Sequence, residues 1–527
     1  MRIQPRGMTL VELLVATVLT LLLVAAIAEG FSAVTSTISA NRATIELSNR
    51  MRETTARVQE DLSAQTVPML PWTLRSAGMG YFEYVEGPAS DLDADNSDVA
   101  DVAQTGADTS IGDVDDVIMF TARSEEELFS GQVLGTVVAK PGGGYRLDYD
   151  PTNPVLTTIY SEFAEIVWWT TYDYQDTNAD GVWNSGEPIQ VRLFRRVLLI
   201  RPDIEIPNIV PPSPPNYFLQ PSNPEMPDVF FFSANDLSVR TVGGVRYANS
   251  LQDLTRRETR FAHNNAAFPN PLLRAALLPK RSVWQRGPDG AWGSTNDDDG
   301  DGTPNDLDEA GWSGSDDILV YGALGTDVML NDVLAFDVKV FDPFAPVICE
   351  WDVPNNRPDG DALTPGEPGF ATIFPAFGTT TQRIGYGAFV DLGYLTTPYA
   401  QKKDSTNNSL WDRMTFLMNN NTISRSFFYG FPATKSQLSA AAAGKTYCTW
   451  SLHYESDGVN QNGGTLVDEG TDGLDNDSAN GVDDPDERET SPPYPEPLRG
   501  LQVRVRVIDP DSRQVRQMTV VSNFTPE

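Results

Sequence analysis

The first sixty-five residues carry one hydrophobic pattern and the remainder another. Met8 to Ala28 is a continuous apolar run broken by a single acid, Glu12, and preceded by a short leader, residues 1–7, that carries Arg2 and Arg6. A helix rising 1.5 Å per residue would carry that run across about 30 Å, the thickness of a bilayer's hydrocarbon core, and the basic leader favours a cytoplasmic start. A carboxylate inside such a segment costs roughly 2.5 to 3.5 kcal/mol on insertion scales, so Glu12 demands a partner. Asn41 to Gln65 is polar, lacks Gly and Pro, and spaces Ile45, Met51, Val58 and Leu62 near one helical face. The helix is therefore expected to run on as a stalk to residue 66, ending near Pro68, without the kink a proline would give.

Beyond the stalk the pattern changes to strands. Val117 to Ala122, Phe163 to Tyr174, Ile189 to Ile200 and Leu334 to Val340 are rich in branched and aromatic residues between turn signals. Leu501, Val503, Val505 and Val507 alternate with Gln502, Arg504 and Arg506, and Asp509-Pro510-Asp511-Ser512 supplies a turn into a last strand through Val521. Pro207 to Pro227 reads as an extended surface loop and Gln401 to Asn421 as a polar insertion. The expected fold class is α+β: a long N-terminal transmembrane and stalk helix, then a large antiparallel β-rich domain with long acidic loop insertions. Its expected divisions are leader 1–7, transmembrane helix 8–28, stalk 29–66, β-rich domain 67–345, insertion region 346–490 and closing hairpin 491–527.

Composition narrows the partners. A net charge of -35, from 73 acidic and 38 basic side chains, opposes a phosphate backbone, so no direct nucleic-acid binding is expected. The 10% aromatic content separates the chain from disordered acidic tails. Cys349 and Cys448 allow one disulfide or two separate buried thiols, and neither a disulfide framework nor a four-thiolate zinc site. His263 and His453 are the only histidines and sit in no metal-ligand or nucleophile signature. Gly142-Gly143-Gly144 is a turn, not a phosphate cradle. No enzymatic activity is expected.

Gly7 followed by Met8-Thr9-Leu10-Val11-Glu12 resembles the prepilin signature of type IV pilin-like proteins. The resemblance implies cleavage after Gly7 by the prepilin peptidase, methylation of the Met8 amine, and pairing of Glu12 with a neighbouring subunit's N-terminus. It also implies an inner-membrane, single-pass start with the domain in the periplasm, delivery to an inner-membrane assembly platform, and partnership with other pilins or pseudopilins. Leu74 to Tyr81 resembles the segment after the stalk in PilW-type minor pilins. Glu165 to Trp169 with Leu193 to Arg196 resembles paired strands of J-type pseudopilins of type II secretion. Two rival readings are a secretory signal cleaved after Ala26-Ile27-Ala28, which leaves Glu12 unexplained, and a membrane-anchored calcium-binding adhesive protein that forms no filament.

The acidic loops carry the remaining chemistry. Asp176, Asn178, Asp180, the Val182 carbonyl, Asn184 and Glu187 stand at calcium-loop spacing, with Gly181 at the sharp turn. Strands flank the loop, so the reading is a hairpin tip closed by a structural calcium ion. Asp297, Asp299, Asp301, Thr303, Asn305 and Asp308 repeat the spacing with Asp at the last position. Asp472 to Asp477 with Asn480 to Asp484 resembles the calcium repeats of extracellular adhesive proteins, one residue out of frame. Asp91 to Asp101 and Asn355 to Glu367 read as solvated acidic loops.

Overall fold

A computed structural model describes residues 10–70, 77–86, 113–148 (without 115, 125 and 126), 155–174, 189–206, 231–261 (without 233, 234, 243, 244, 257 and 258), 328–394 (without 366, 368, 378, 379 and 393), 446–449, 466–469, 472–476, 482, 483, 487, and 497–524 (without 510–513). Helix α1 covers Leu10–Ser63. The strands that follow are β1 (Phe82–Val85), β2 (Val117–Arg123), β3 (Phe129–Leu134), β4 (Thr136–Ala139), β5 (Tyr145–Asp148) and β6 (Leu156–Ser161). Then come β7 (Phe163–Tyr174), β8 (Ile189–Leu199), β9 (Ile204–Glu205), β10 (Val239–Val242), β11 (Val245–Ala248) and β12 (Val328–Leu330). The last are β13 (Val333–Asp352), β14 (Arg357–Pro358), a one-turn α2 (Phe370–Ile373), β15 (Thr381–Val390), β16 (Thr446–Cys448), β17 (Gly500–Ile508) and β18 (Val515–Asn523).

Two large sheets make the body. One has the order β12-β8-β7-β2-β1-β16; the other runs β14-β13-β17-β18, with β15 also paired to β13. Ile118, Phe120, Ile166 and Trp168 of the first sheet share a core with Phe336, Val338, Val503 and Val505 of the second and with Met51, Val58 and Leu62 of α1. Their sequence neighbours Val117, Met119, Val167 and Trp169 enter a second core on the opposite side, with Leu147, Ile159, Leu237 and Val239. The first sheet is thus buried on both faces, which is why β2 and β7 read as unbroken apolar runs and not as alternation. β17 faces the core on one side only and keeps the period of two.

Several expectations are corrected. The described residues are 48% strand and 23% helix, so the class is mostly β and not α+β; past α1 the branched and aromatic runs form strands almost without interruption. No helix among the described residues is long and apolar enough to cross a membrane. That overturns the transmembrane assignment of 8–28 and does not fit a single-pass inner-membrane placement. Glu12 lies in the first turn of the described part of α1. Ile45 does not join the packed stripe but is exposed, whereas Met51, Val58 and Leu62 are buried against the body.

Candidate functional site

Three regions of the fold carry chemistry beyond core packing. The first is the exposed end of α1. Its last three turns dock on β18 and β12, and Asp61 there binds Trp168 Nε1 at 2.8 Å and the Arg195 guanidinium at 2.7 Å. Further toward the N-terminus the same helix presents large apolar side chains to the outside: Leu10 is 80% exposed, Leu21 69% and Phe31 69%. Glu12 lies within this stretch of α1. Gly7 and Met8 lie outside the described residues.

The second region is a buried polar cluster where the ends of the two sheets meet. Glu86 follows β1, Asp113 and Asp116 precede β2, Asp337 and Lys339 lie on β13, and Asp391 follows β15; all six are nearly or fully buried. Carboxylate oxygens of Glu86, Asp113 and Asp391 lie within 4.8 Å of one another, as do those of Asp113, Asp116 and Asp337. Such groups can hold a metal ion, but nothing in them selects calcium, and the Lys339 ammonium already lies 2.5 Å from Asp391 and 2.9 Å from Asp337. Arg504 reaches Asp337 at 3.3 Å. Val338 N–H donates to Asp116 at 2.6 Å and Leu392 N–H to Glu86 at 3.0 Å. The Tyr84 hydroxyl lies within hydrogen-bond distance of both Glu86 and the Val338 carbonyl, with one proton to donate between them. Burial first, and then the charges of Asp116, Glu86 and Asp391, hold that phenol well above the ordinary tyrosine range.

Behind the first sheet, Arg260 is fully buried, donates to Glu83 at 2.7 Å and to Cys448 Sγ at 3.1 Å, and lies 4.0 Å from the Tyr81 ring centre. Tyr81 donates to Glu165 at 2.7 Å; Ser238 and the Phe261 N–H donate to the same carboxylate. Desolvation raises the Glu165 carboxyl above the usual range, against the lowering by those donors.

Comparison with protein-family models, curated sequences and solved structures finds no match.

The site residues expected from sequence fall unevenly on this architecture. The loops 176–187 and 297–308, with Asp176, Asn178, Asp180, Val182, Asn184, Glu187, Asp297, Asp299, Asp301, Thr303, Asn305 and Asp308, lie outside the described residues, as do His263 and His453. The ends of the first loop are placed, however: Tyr174 of β7 pairs with Ile189 of β8. Cys349 on β13 and Cys448 on β16, in different sheets, are two separate buried thiols, the second of the two alternatives, and not a disulfide. In the C-terminal acidic stretch, Asp483 accepts from Gly473 N–H at 2.8 Å and Asp472 from Asn476 Nδ2 at 3.0 Å. Near β14, Asp352 bonds Asn355 and Arg357 at the surface. The buried cluster was not legible beforehand, because Asp337 and Lys339 alternate with apolar residues just as a solvated strand face would.

Proposed function

We propose that this chain is a pilin-like structural subunit, a minor pilin or pseudopilin, that enters a filament through the N-terminal half of α1. The observation that carries the reading is the division of α1: its C-terminal turns are fixed in the β body, while its earlier turns expose Leu10, Leu21, Leu22 and Phe31. An apolar surface of this size is costly in water and needs a cover. Equivalent helices of other subunits supply one. The prepilin-like Gly7-Met8-Thr9-Leu10-Val11-Glu12 fits the same reading, since a carboxylate among packed apolar helices is tolerated when an ammonium pairs with it. In this reading the prepilin peptidase trims the leader, an assembly platform hands the subunit to the filament, and the acidic domain faces outward, outside the cytoplasm. A structural calcium ion at 176–187 belongs to the same proposal.

The test is twofold. Mass spectrometry of the native protein is expected to find Met8 as a methylated first residue. Glu12→Ala is expected to abolish filament incorporation while leaving the β domain folded; undiminished incorporation, or a native chain beginning at Glu29, refutes the reading.

A further inference from the structure

The filament reading leaves unused a buried amine held against a buried carboxylate. Lys339 is 1% exposed and Asp391 3% exposed. They are cross-strand neighbours by register: Val340 of β13 pairs with Val390 of β15, which sets the preceding residue of β13 opposite the residue following β15. Nζ of Lys339 lies 2.5 Å from Asp391 Oδ1. Both sides of Asp391 are fixed, Val390 by that pairing and Leu392 by its N–H bond to Glu86. A little further on, Tyr394 donates to Asp342 at 3.0 Å and ties the same segment to β13. The reactants are therefore held together in a dry place by the fold, the condition under which an intramolecular condensation gains most from proximity.

We infer that Lys339 and Asp391 are joined by an intramolecular amide bond that this site forms on itself after folding. Nζ attacks Cγ of Asp391, one carbon–oxygen bond breaks, and the oxygen leaves as water. An ammonium and a carboxylate contain the atoms of one amide and one water, so no oxidant, activated ester or nucleotide is needed: two ammonium protons depart with the oxygen and the third stays on the amide nitrogen. Glu86 is placed to carry the proton, accepting it from Nζ and returning it to the departing oxygen, because its carboxylate shares the 4.8 Å group with Asp391 and Asp113 and is oriented by Tyr84 and Leu392. The charged groups facing the pair are Asp337, also bonded to Lys339, with Arg504 behind it, and Asp113 and Asp116 from the chain before β2. Exchange of a buried ion pair for a neutral amide removes the cost of keeping two charges from water, which favours the product. The bond closes residues 340–390 into a loop, so tension along the chain would pass through the cross-link and not through that segment. This inference does not depend on filament assembly.

The decisive measurement is mass. Peptides from a digest of the purified full chain are expected to include a branched species joining the Lys339 and Asp391 segments, lighter than their sum by one water. Glu86→Gln, which leaves both reactants in place, is expected to yield the two segments unlinked. Unlinked segments in folded wild-type protein, with or without a metal ion bound at the cluster, overturn the inference without any variant having to fold. A linked species in Glu86→Gln overturns the role given to Glu86.

Discussion

Asp61, on the last turns of α1, receives both arms of the Arg195 guanidinium at 2.7 Å each. The carboxylate is 3% exposed and accepts Trp168 Nε1 as well, so one acid fixes the helix to β7 and β8 together. The bidentate geometry sets the rotation of α1 about its axis, which decides that Met51, Val58 and Leu62 face the core.

Asp61→Ala is accordingly expected to destabilise the folded domain by about 3–5 kcal/mol, since it leaves a partly buried guanidinium and an indole N–H without their acceptor. Denaturant unfolding followed by tryptophan fluorescence measures it. Asp61→Asn, which keeps the shape but not the charge, is expected to lose less. Equal stability of wild type and Asp61→Ala would show that apolar packing alone seats the helix.

Gly80 makes a second local prediction. Its φ is +82°, and a Cβ there would fall on the Thr121 side chain, whose Oγ1 accepts from the Tyr81 N–H at 3.0 Å. Gly142, at φ +103°, has nothing near an added Cβ. Gly142→Ala is expected to cost about 1 kcal/mol from backbone strain alone, and Gly80→Ala about 2–4 kcal/mol from strain plus the clash. The difference between their unfolding midpoints isolates the packing cost; indistinguishable midpoints would refute it.

These two sites differ in how far sequence reveals them. The span from Phe163 to Tyr174 predicts a strand, and β7 has the same limits; the closing hairpin of β17 and β18 follows from the alternation of Leu501 to Val507. Such patterns are local, written in period and turn chemistry. The environment of an ionisable group is not local. Lys339 meets Asp391, Arg260 meets Glu83, and Asp61 meets Arg195 across long stretches of chain, and each reads in isolation as an ordinary surface charge. The same limit explains Ile45: the body reaches this level of α1, where Leu47 packs against the core, but Ile45 is turned away from that face and stays exposed.

Alkaline pH tests the polar network behind the first sheet. Burial, then the Glu165 charge, holds the Tyr81 hydroxyl proton well above the ordinary range. The stability this group contributes is fully present below the unfolded tyrosine value, about 10, and is lost as pH rises beyond it toward the folded value, because only the unfolded chain can then release the proton. Tyr81→Phe is expected to be less stable near neutrality, having lost a hydrogen bond to a buried carboxylate, and its deficit should shrink between about pH 8 and about pH 11. Urea midpoints at the two ends decide the matter; a deficit that stays constant or widens contradicts the assignment.

Calcium provides the last test. β7 and β8 remain paired to their very ends at Tyr174 and Ile189, and the connection between them carries Asp176, Asp180 and Glu187 in its sequence. Three like charges in so short a connection repel, and a divalent ion removes the repulsion by direct coordination. For a site in the weak extracellular range, roughly 10⁻⁴ to 10⁻³ M, calcium at tenfold that concentration stabilises the fold by about 1.4 kcal/mol. The thermal midpoint of the full chain is therefore expected to rise with calcium and fall with chelator. Glu187→Ala, lacking the bidentate ligand, is expected to lose most of that response while keeping the chelator-treated midpoint of wild type. A response that survives Glu187→Ala assigns the ion to another loop, and identical midpoints with calcium and chelator in wild type dismiss the ion from the fold.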